Sequence, residues 1–275
     1  MHKRKKQTDS ITLIKLGGSL ITDKKKEFVL DEQMLEQLCQ ELAEVLPVCG
    51  PVILGHGAGS FGHVFAKEFQ THKGWIDERS REGVIQVSHA MRQLNYMVMS
   101  ALIQSGLPVV SISPLSIFTA RNHALDEVWV RSIEQALELG CIPVVHGDVI
   151  FDLGDGCTIF STERVLEYIS NEMGKSGWQF DTILHCGVSE GVLDATGKTI
   201  DFITPETVSS HLSALGKSAG IDVTGGMNHK VLESVKMAER GIPAQIINAT
   251  KYGEVTAALK NSRHVGTKIV KEITV

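Results

Sequence analysis

The sequence predicts an α/β fold in which a mainly parallel sheet carries helices on both faces. Short apolar runs typical of buried strands alternate with apolar stripes at helical spacing. Three of these helical stripes end alike, with a glycine and then a proline before the next apolar run, at 106–108, 140–143 and 241–243. Glycine suits the left-handed residue after a helix and proline the first residue of a strand, so each pair marks a helix-to-strand turn. Strands and helices that alternate in this way indicate a parallel sheet.

The N-terminal elements follow this alternation. Gly17-Gly18 ends the first apolar run, and Gly50-Pro51 ends a long amphipathic stripe that begins at Asp31. A glycine-dense loop then separates the second strand from two more helical patterns. The predicted elements are, in order, a strand at 12–16, a helix at 31–46, a strand at 52–54, and helices at 60–70 and 80–105.

The rest of the chain adds one interruption to the pattern. Strands are predicted after the three glycine–proline turns, at 109–112, 144–145 and 244–247. Leu153-Gly154-Asp155-Gly156 is a hairpin signal and predicts two antiparallel strands within 149–160. No stretch is rich in proline or serine, so a second domain would have to be interleaved with the first. We expect a basic flexible tail at 1–10 and a single domain at 11–275.

Composition and charge exclude several classes of protein. Of the 275 residues, 43% are hydrophobic and 21% are charged, which is ordinary for a globular protein and too apolar for a disordered one. The 27 basic and 32 acidic residues give a net charge of −5, which argues against binding to nucleic acid or to a membrane. The five cysteines are scattered without a CxxC pair. They exclude a disulfide framework and a cysteine-based zinc site, and they favour a reducing cytoplasm.

Three glycine clusters predict a site for several phosphates. They lie where strands turn into helices, at 15–19, 55–63 and 224–230. Ligands of open α/β sheets lie beyond the carboxyl ends of the strands. Glycines let backbone N–H groups approach an anion closely, and the helix that follows adds partial positive charge.

Four basic side chains accompany these clusters. Lys15 ends an apolar strand, where burying its charge would be costly unless an anion met it. Lys230 lies one turn into the helix of the third cluster, and His63 follows the middle loop at a helix start. Lys24 lies just past the first cluster, where a solvated patch with its neighbouring lysines is an equal alternative. His56, inside a strand end, is expected to be a core residue.

The middle cluster also fits two other motifs, and both are less favoured. Gly57-x-Gly59-x-x-Gly62 matches the dinucleotide fingerprint, with Asp77 about 20 residues further on. Asp77, however, does not end an apolar strand, as a ribose-binding carboxylate should. Residues 58–62 approximate a nucleophile elbow, but alanine replaces its first glycine and no other feature singles out a triad.

Taken together, these motifs resemble the amino acid kinase superfamily, and within it the isopentenyl phosphate kinases. The matching residues run in order from 12 to about 270 and comprise Lys15-Leu16-Gly17-Gly18-Ser19, Thr22-x-Lys24, the string 56–63, Gly147-Asp148 and Thr224-Gly225-Gly226-Met227 through Lys230. The Lys-x-Gly-Gly-Ser start marks only the superfamily. The Gly-Ala-Gly-Ser-Phe-Gly-His string is more specific, because members that act on acyl groups lack its histidine.

The resemblance implies a three-layer α/β/α sandwich that usually forms a homodimer. The half at about 11–180 would bind the acceptor, and the half at about 181–275 would bind the nucleotide. The implied reaction transfers the γ-phosphate of ATP to isopentenyl phosphate and makes isopentenyl diphosphate, at the end of an alternative mevalonate route. We expect Mg²⁺ to accompany the ATP, held by nucleotide oxygens and water. The implied partners are therefore two small molecules, ATP and an isoprenyl phosphate.

The resemblance also implies roles for individual residues. The implied ATP-binding residues are Lys15, Gly17, Gly18, Ser19, Gly59, Gly226 and Lys230. The implied substrate-binding residues are Ala58, Gly62, His63 and Thr162. The implied catalytic residues are Lys15, Lys24 and His63, with Glu163 and Asp148 as residues that could orient the lysines and no protein ligand for a metal.

Two segments depart from the family pattern. The family usually has Ser-Gly-Asp where this chain reads Ser161-Thr162-Glu163, so Glu163 would replace the usual aspartate with a longer side chain. The Thr-Asp-Val-Asp-Gly pattern on the nucleotide side becomes Gly187-Val188-Ser189-Glu190-Gly191. This second change leaves the choice of nucleoside open.

The residue types also favour a phosphate acceptor over a hydroxyl acceptor. A phosphate already carries a nucleophilic oxygen, so a site rich in lysine and glycine without an obvious general base is sufficient. Two other functions remain open: a related kinase that acts on a phosphonate such as fosfomycin, and a non-catalytic nucleotide-binding protein of the same fold. The apolar residues of the two helices after the glycine loop could line a slot for an isoprenoid tail or belong to the core; they are Phe65, Phe69, Val84, Val87 and Met91.

Overall fold

Strands and helices alternate along most of the chain in this computed structural model, which describes residues 9–23, 26–215 and 226–273. The strands are β1 (Ile11–Leu16), β2 (Val52–His56), β3 (Val109–Ser111), β4 (Phe118–Arg121), β5 (Ala124–Val128), β6 (Ile142–His146), β7 (Asp148–Asp152), β8 (Gly156–Phe160), β9 (Phe180–Gly187), β10 (Phe202–Ile203), β11 (Ala244–Asn248) and β12 (Thr267–Ile269). The α-helices are α1 (Gly18–Ile21), α2 (Glu32–Val45), α3 (Gly59–Glu68), α4 (Ser80–Gln104), α5 (Pro114–Ile117), α6 (Arg131–Glu138), α7 (Thr162–Lys175), α8 (Val208–Leu215), α9 (Gly226–Glu239) and α10 (Glu254–Leu259).

The described strands form two sheets. The larger sheet has eight strands in the order β10-β12-β11-β9-β1-β2-β6-β3, and every neighbouring pair is parallel except β11 and β12. The smaller sheet has four strands in the order β5-β4-β7-β8, with antiparallel pairs at its two ends. The predicted mainly parallel sheet is therefore confirmed.

Helices cover both faces of the larger sheet. Successive residues of a strand point to opposite faces, so each strand can pack against both layers of helices. On one face, Ile14 and Leu16 of β1 belong to a buried cluster with residues of α2, α4 and α10. On the other face, Ile11 and Leu13 belong to a second cluster with residues of α6, α7 and α9. This arrangement confirms the three-layer α/β/α sandwich.

The glycine–proline turns lie where the sequence predicts them. Gly106, Gly140 and Gly241 have φ angles of 83°, 77° and 88°, and each separates a helix from the strand that follows. These left-handed angles carry a steric cost for residues with a Cβ atom, which explains the choice of glycine. The predicted hairpin is also confirmed, since β7 and β8 are antiparallel and join through Leu153-Gly154-Asp155.

The long helix α4 is not a membrane span. Among the residues that the structure describes, no helix is both long enough and apolar enough to cross a membrane.

Candidate active site

The candidate site lies at the carboxyl ends of β1, β2 and β9, in the middle of the larger sheet. Lys15, one residue before the end of β1, is in register with Gly55 of β2 and His185 of β9. Strand alternation places these three residues on the face that α7 and α9 cover. The missing side chain of Gly55 makes room for α7, because a Cβ atom there would lie 2.7 Å from Cγ2 of Thr162.

The first two glycine clusters pack backbone against backbone. A Cβ atom on Gly18 would lie 2.1 Å from the backbone nitrogen of Gly59, and one on Gly57 would lie 2.6 Å from the nitrogen of Gly18. Gly59 also has a φ angle of 51°. Only glycine permits so close an approach, so the two loops meet backbone to backbone just after the ends of β1 and β2.

A threonine that the sequence analysis did not assign to the site links these loops. The Thr22 hydroxyl donates to the Gly18 carbonyl at 2.8 Å and accepts from the Ser60 backbone N–H at 3.0 Å. The Ser60 hydroxyl is itself buried without a hydrogen-bond partner in the described part of the chain. The sequence signal for Ser60 was its position inside the middle glycine cluster.

Lys15 is buried and paired with Glu163, the second residue of α7. The Lys15 ammonium donates to Oε1 of Glu163 at 2.7 Å, and both residues are less than 10% exposed. Burial by itself raises the pKa of the Glu163 carboxyl, but the adjacent Lys15 charge lowers it well below its usual range. Glu163 is therefore ionised and holds the Lys15 ammonium at the end of β1, whereas a lysine alone would be costly to bury.

Lys230 and His185 complete this cluster on the side of α9. The Lys230 ammonium lies 3.7 Å from the position that a Cβ atom would occupy on Gly187. The pKa of the buried His185 is lowered to about 3. Burial is the main cause, and the charges of Lys230 and Lys15 act in the same direction. Lys15 and Lys230, from the first and third glycine clusters, thus reach the same end of the sheet.

His63 is the fifth residue of α3, one turn after the middle glycine loop. Its side chain is exposed, yet the protein atoms around the ring, followed by the Lys15 charge, lower its pKa. The ring is therefore neutral at pH 7 and offers one N–H group to a ligand. The Lys15 charge is therefore within electrostatic range of the His63 ring.

Thr162 has a structural partner. Its buried hydroxyl donates to the His56 carbonyl at 2.8 Å and so fastens the start of α7 to the end of β2. Within the described contacts it therefore supports the middle glycine loop, and its predicted contact with substrate stays a prediction.

Asp148 has described partners other than Lys15 and Glu163. One carboxylate oxygen accepts from the Val149 N–H at 2.8 Å, and the other faces Nδ1 of His146 at 3.8 Å. Burial raises the Asp148 pKa to about 7. Its other close electrostatic neighbour is Arg92 of α4, on the opposite face of the sheet from α7. Lys15 is paired with Glu163, and Asp148 is not among its described partners.

His56 is a core residue, as the sequence analysis expected. Its ring lies 5.3 Å from the ring of His146, its register partner, and its Nε2 lies 3.2 Å from Oδ1 of Asn95 in α4. Burial is the main cause that lowers the His56 pKa, to about 4. The ring is therefore neutral and braces the strand that leads into the middle glycine loop.

The remaining predicted residues divide into three groups. Gly17 and Gly62 are buried, Ala58 is half-buried, and Ser19 and Gly226 are exposed. Lys24, Thr224 and Gly225 lie outside the described residues.

Of the candidates for a tail slot, Val84, Val87 and Met91 belong to the buried core. Phe65 and Phe69 are half-buried, and Phe65 contacts the ring of Phe28, with 5.2 Å between centroids.

One group of potential metal ligands lies elsewhere, in the smaller sheet. It consists of His123, Asp152 and Asp155. The Asp152 carboxylate already accepts backbone N–H groups of Asn122, His123, Gly154 and Asp155. The cluster therefore has a structural role, because Asp152 binds the backbone of the β4–β5 turn and of the β7–β8 turn.

Comparisons with known proteins agree with this geometry. The profile of the Amino acid kinase family matches residues 10–248. A curated isopentenyl phosphate kinase of Methanothermobacter thermautotrophicus is 31% identical over 266 residues, which cover 94% of this chain and 98% of the relative. That of Haloferax volcanii is 35% identical over 239 residues, which cover 86% of this chain and 91% of the relative.

A solved structure supports the same assignment. An X-ray structure of an isopentenyl phosphate kinase is 27% identical and superimposes with a TM-score of 0.79, over 94% of this chain and 100% of the other. The chain therefore belongs to the amino acid kinase family, and within that family it is similar over nearly its whole length to isopentenyl phosphate kinases.

Proposed function

We propose that the chain transfers the γ-phosphoryl group of ATP to isopentenyl phosphate and yields isopentenyl diphosphate and ADP. The similarity to isopentenyl phosphate kinases supports this activity. The structural observation that carries the proposal is the buried Lys15–Glu163 pair, which lies beside two glycine loops packed backbone to backbone. Such a cation, next to closely spaced amides, suits the oxyanions of a donor and an acceptor phosphate.

Mutual repulsion of two anions is the main obstacle to this reaction, so the site has to supply positive charge and fixed positions. Lys15 would contact the transferring phosphoryl group, and Lys230 would lie at the donor end with Lys24. His63 would donate to the acceptor phosphate. An oxygen of that phosphate attacks the γ-phosphorus while the bond to the β-phosphate breaks, and no proton has to be removed from the acceptor.

Magnesium fits this site as an ion that the nucleotide brings with it. Glu163, the carboxylate that the structure pairs with Lys15, is already committed to that lysine. Among the described contacts of Lys15, no carboxylate remains available to bind a metal. The ligands of Mg²⁺ would therefore be phosphate oxygens and water. When bound, Mg²⁺ would neutralise charge on the donor phosphates.

The two halves of the domain would divide the substrates between them. Residues of about 11–180, with the middle glycine loop and His63, would bind the acceptor, and residues of about 181–275, with Lys230, would bind ATP. Because β1 and β9 are neighbours in one sheet, the two substrates would meet above Lys15.

We also propose a homodimer that forms through α4 and the edge strand β3. Ile85, Tyr96 and Ile103 of α4 are 51%, 75% and 57% exposed and lie on one side of the helix at spacings of 11 and 7 residues. The edge strand β3 lies next to this helix, since the Asn95 side chain of α4 donates to the Ser111 hydroxyl of β3 at 2.7 Å. Light scattering of the purified chain, with twice the mass of one chain expected, tests this assembly.

The proposed activity is tested by ADP release with isopentenyl phosphate, with a phosphonate such as fosfomycin, and without an acceptor. We expect ADP to be released only when isopentenyl phosphate is present. The amount of ADP should equal the amount of isopentenyl diphosphate that phosphorus NMR detects. Turnover with the phosphonate alone would indicate the related kinase. ATP binding without any turnover would indicate a non-catalytic nucleotide-binding protein, and either result would overturn the proposal.

His63→Ala is expected to weaken use of the acceptor. One hydrogen bond to a charged phosphate contributes about 1.5–3 kcal/mol, so kcat/KM for isopentenyl phosphate should fall roughly 10- to 100-fold. The KM for ATP should stay unchanged, because His63 faces the acceptor in this mechanism. Steady-state kinetics with His72→Ala as an exposed control check this, and unchanged acceptor kinetics would reassign His63 to a structural role.

A further inference from the structure

His185 lies next to the Lys15–Glu163 pair, but the transfer mechanism gives it no task. It is buried and in register with Lys15, so both side chains leave the sheet on the same face. Its Nε2 lies 3.0 Å from the Ser234 hydroxyl of α9. Its Nδ1 is buried and has no hydrogen-bond partner among the described residues.

An unpaired polar atom in this position asks for an explanation, because buried polar atoms of native proteins nearly always have partners. Burial lowers the His185 pKa, although the Glu163 charge acts in the opposite direction. The ring is therefore neutral and carries a single N–H group. The position of that proton decides whether Nδ1 is an unused donor or an unused acceptor.

Two neighbours favour the proton on Nδ1. The Ser234 hydroxyl can donate to Nε2, which leaves the ring proton on the other nitrogen. The Glu163 carboxylate interacts electrostatically with the ring, and a lone pair on Nδ1 would add repulsion where an N–H group adds attraction. With the proton on Nδ1, His185 would hold an unused donor in a ring that interacts electrostatically with the carboxylate that binds Lys15.

A need for this donor arises during phosphoryl transfer. In the structure the Lys15 ammonium is only 2.7 Å from Glu163. If Lys15 turned toward the transferring phosphoryl group, the buried carboxylate would lose part of its partner, which would be costly in a low-dielectric site. A hydrogen bond that forms at that moment would offset the cost of moving the lysine.

We infer that His185 is a positioning residue whose Nδ1–H donates to Glu163 when Lys15 engages the transferring phosphoryl group. This inference rests on the proposed function of the site. It assigns His185 to the transfer step and not to the binding of ATP.

The double variant His185→Leu/Ser234→Ala removes both polar groups while it keeps the site filled. We expect unfolding at the same temperature as the wild type or higher, an unchanged Kd for ATP, and a kcat about tenfold lower, the size expected for one hydrogen bond to a charged group. His185→Asn, whose amide can replace the Nδ1 donor, should recover most of the kcat, and His185→Gln should not. A double variant with wild-type kcat, or an equal loss for the Asn and Gln variants, would overturn the inference.

Imidazole nitrogen NMR tests the same idea without turnover. We expect a protonated Nδ1 on His185 in the free protein, and a shift of that nitrogen when a non-hydrolysable ATP analogue and isopentenyl phosphate bind. A protonated Nε2 would overturn the inference. Failure of the proposed function would instead appear as a wild-type protein that releases no ADP in response to isopentenyl phosphate.

Discussion

Replacement of Lys15 by alanine is expected to lower kcat about 10²- to 10³-fold, the usual loss when one preorganised charge at a transition state is removed. In the proposed mechanism Lys15 contacts the transferring phosphoryl group, where negative charge has to be neutralised. ATP should still bind, because in the proposed mechanism the glycine loops and Lys230 hold the donor phosphates. Steady-state kinetics and calorimetric ATP binding measure the two effects separately.

Two further variants separate this effect from a loss of folding. Lys15→Arg keeps a cation for Glu163 but changes its length and shape, so it should fold and still transfer slowly. Lys67→Ala removes an exposed lysine from α3 and should leave the kinetics unchanged. Wild-type turnover of the alanine variant would remove Lys15 from the mechanism.

Replacement of Glu163 by glutamine should have the largest effect on stability. It leaves the Lys15 ammonium buried without an anion, and removal of one partner of a buried ion pair costs about 3–5 kcal/mol. Glu172 and Lys175 provide a matched control on the same helix, because their ion pair also spans 2.7 Å but its side chains are 34% and 66% exposed. Glu172→Gln should cost about 0–1 kcal/mol in urea unfolding. Equal losses for the two variants would contradict this description of the pair.

The pH dependence of stability gives a second test of Glu163. Its pKa in the folded chain lies below the ordinary value of 4.5. A carboxyl shifted in this direction contributes stability above pH 4.5 and loses that contribution as the pH falls toward its folded pKa. The difference in unfolding free energy between wild type and Glu163→Gln should therefore be constant near neutral pH and become smaller below pH 4.5. A difference that stays the same in acid would show that the charge of Glu163 is not its cause.

The elements predicted best from the sequence were those with strong local signals. The apolar run up to Lys15 became β1, and Asp31 caps α2 by accepting the Met34 N–H at 3.0 Å. The hairpin β4–β5 was missed because its turn, Asn122-His123, lacks the usual glycine. Both residues nevertheless have positive φ angles of 51° and 62°, and Asp152 accepts their two N–H groups. Hydrogen bonds to a residue 30 positions away thus stabilise this turn, which has no glycine to signal it in the local sequence.

The same distinction applies to the site. Lys15, His63 and Lys230 could be proposed because each accompanies a glycine cluster at a strand-to-helix turn. The family resemblance implied that both Glu163 and Asp148 could orient the lysines. The contact between Glu163 and Lys15 spans 148 positions and leaves no local signal in the sequence. His185 and Ser234 gave no motif at all. Their contact follows only from the register of β1 with β9 and the packing of α9 on that face.

The most direct test of the account is a crystal structure with ADP, a metal-fluoride mimic of the transferring group, and isopentenyl phosphate. We expect the Lys15 ammonium within about 3.2 Å of the mimic, with the glycine-loop amides directed at the same group. A Lys15 ammonium more than about 6 Å from every phosphate and from the mimic would contradict the account.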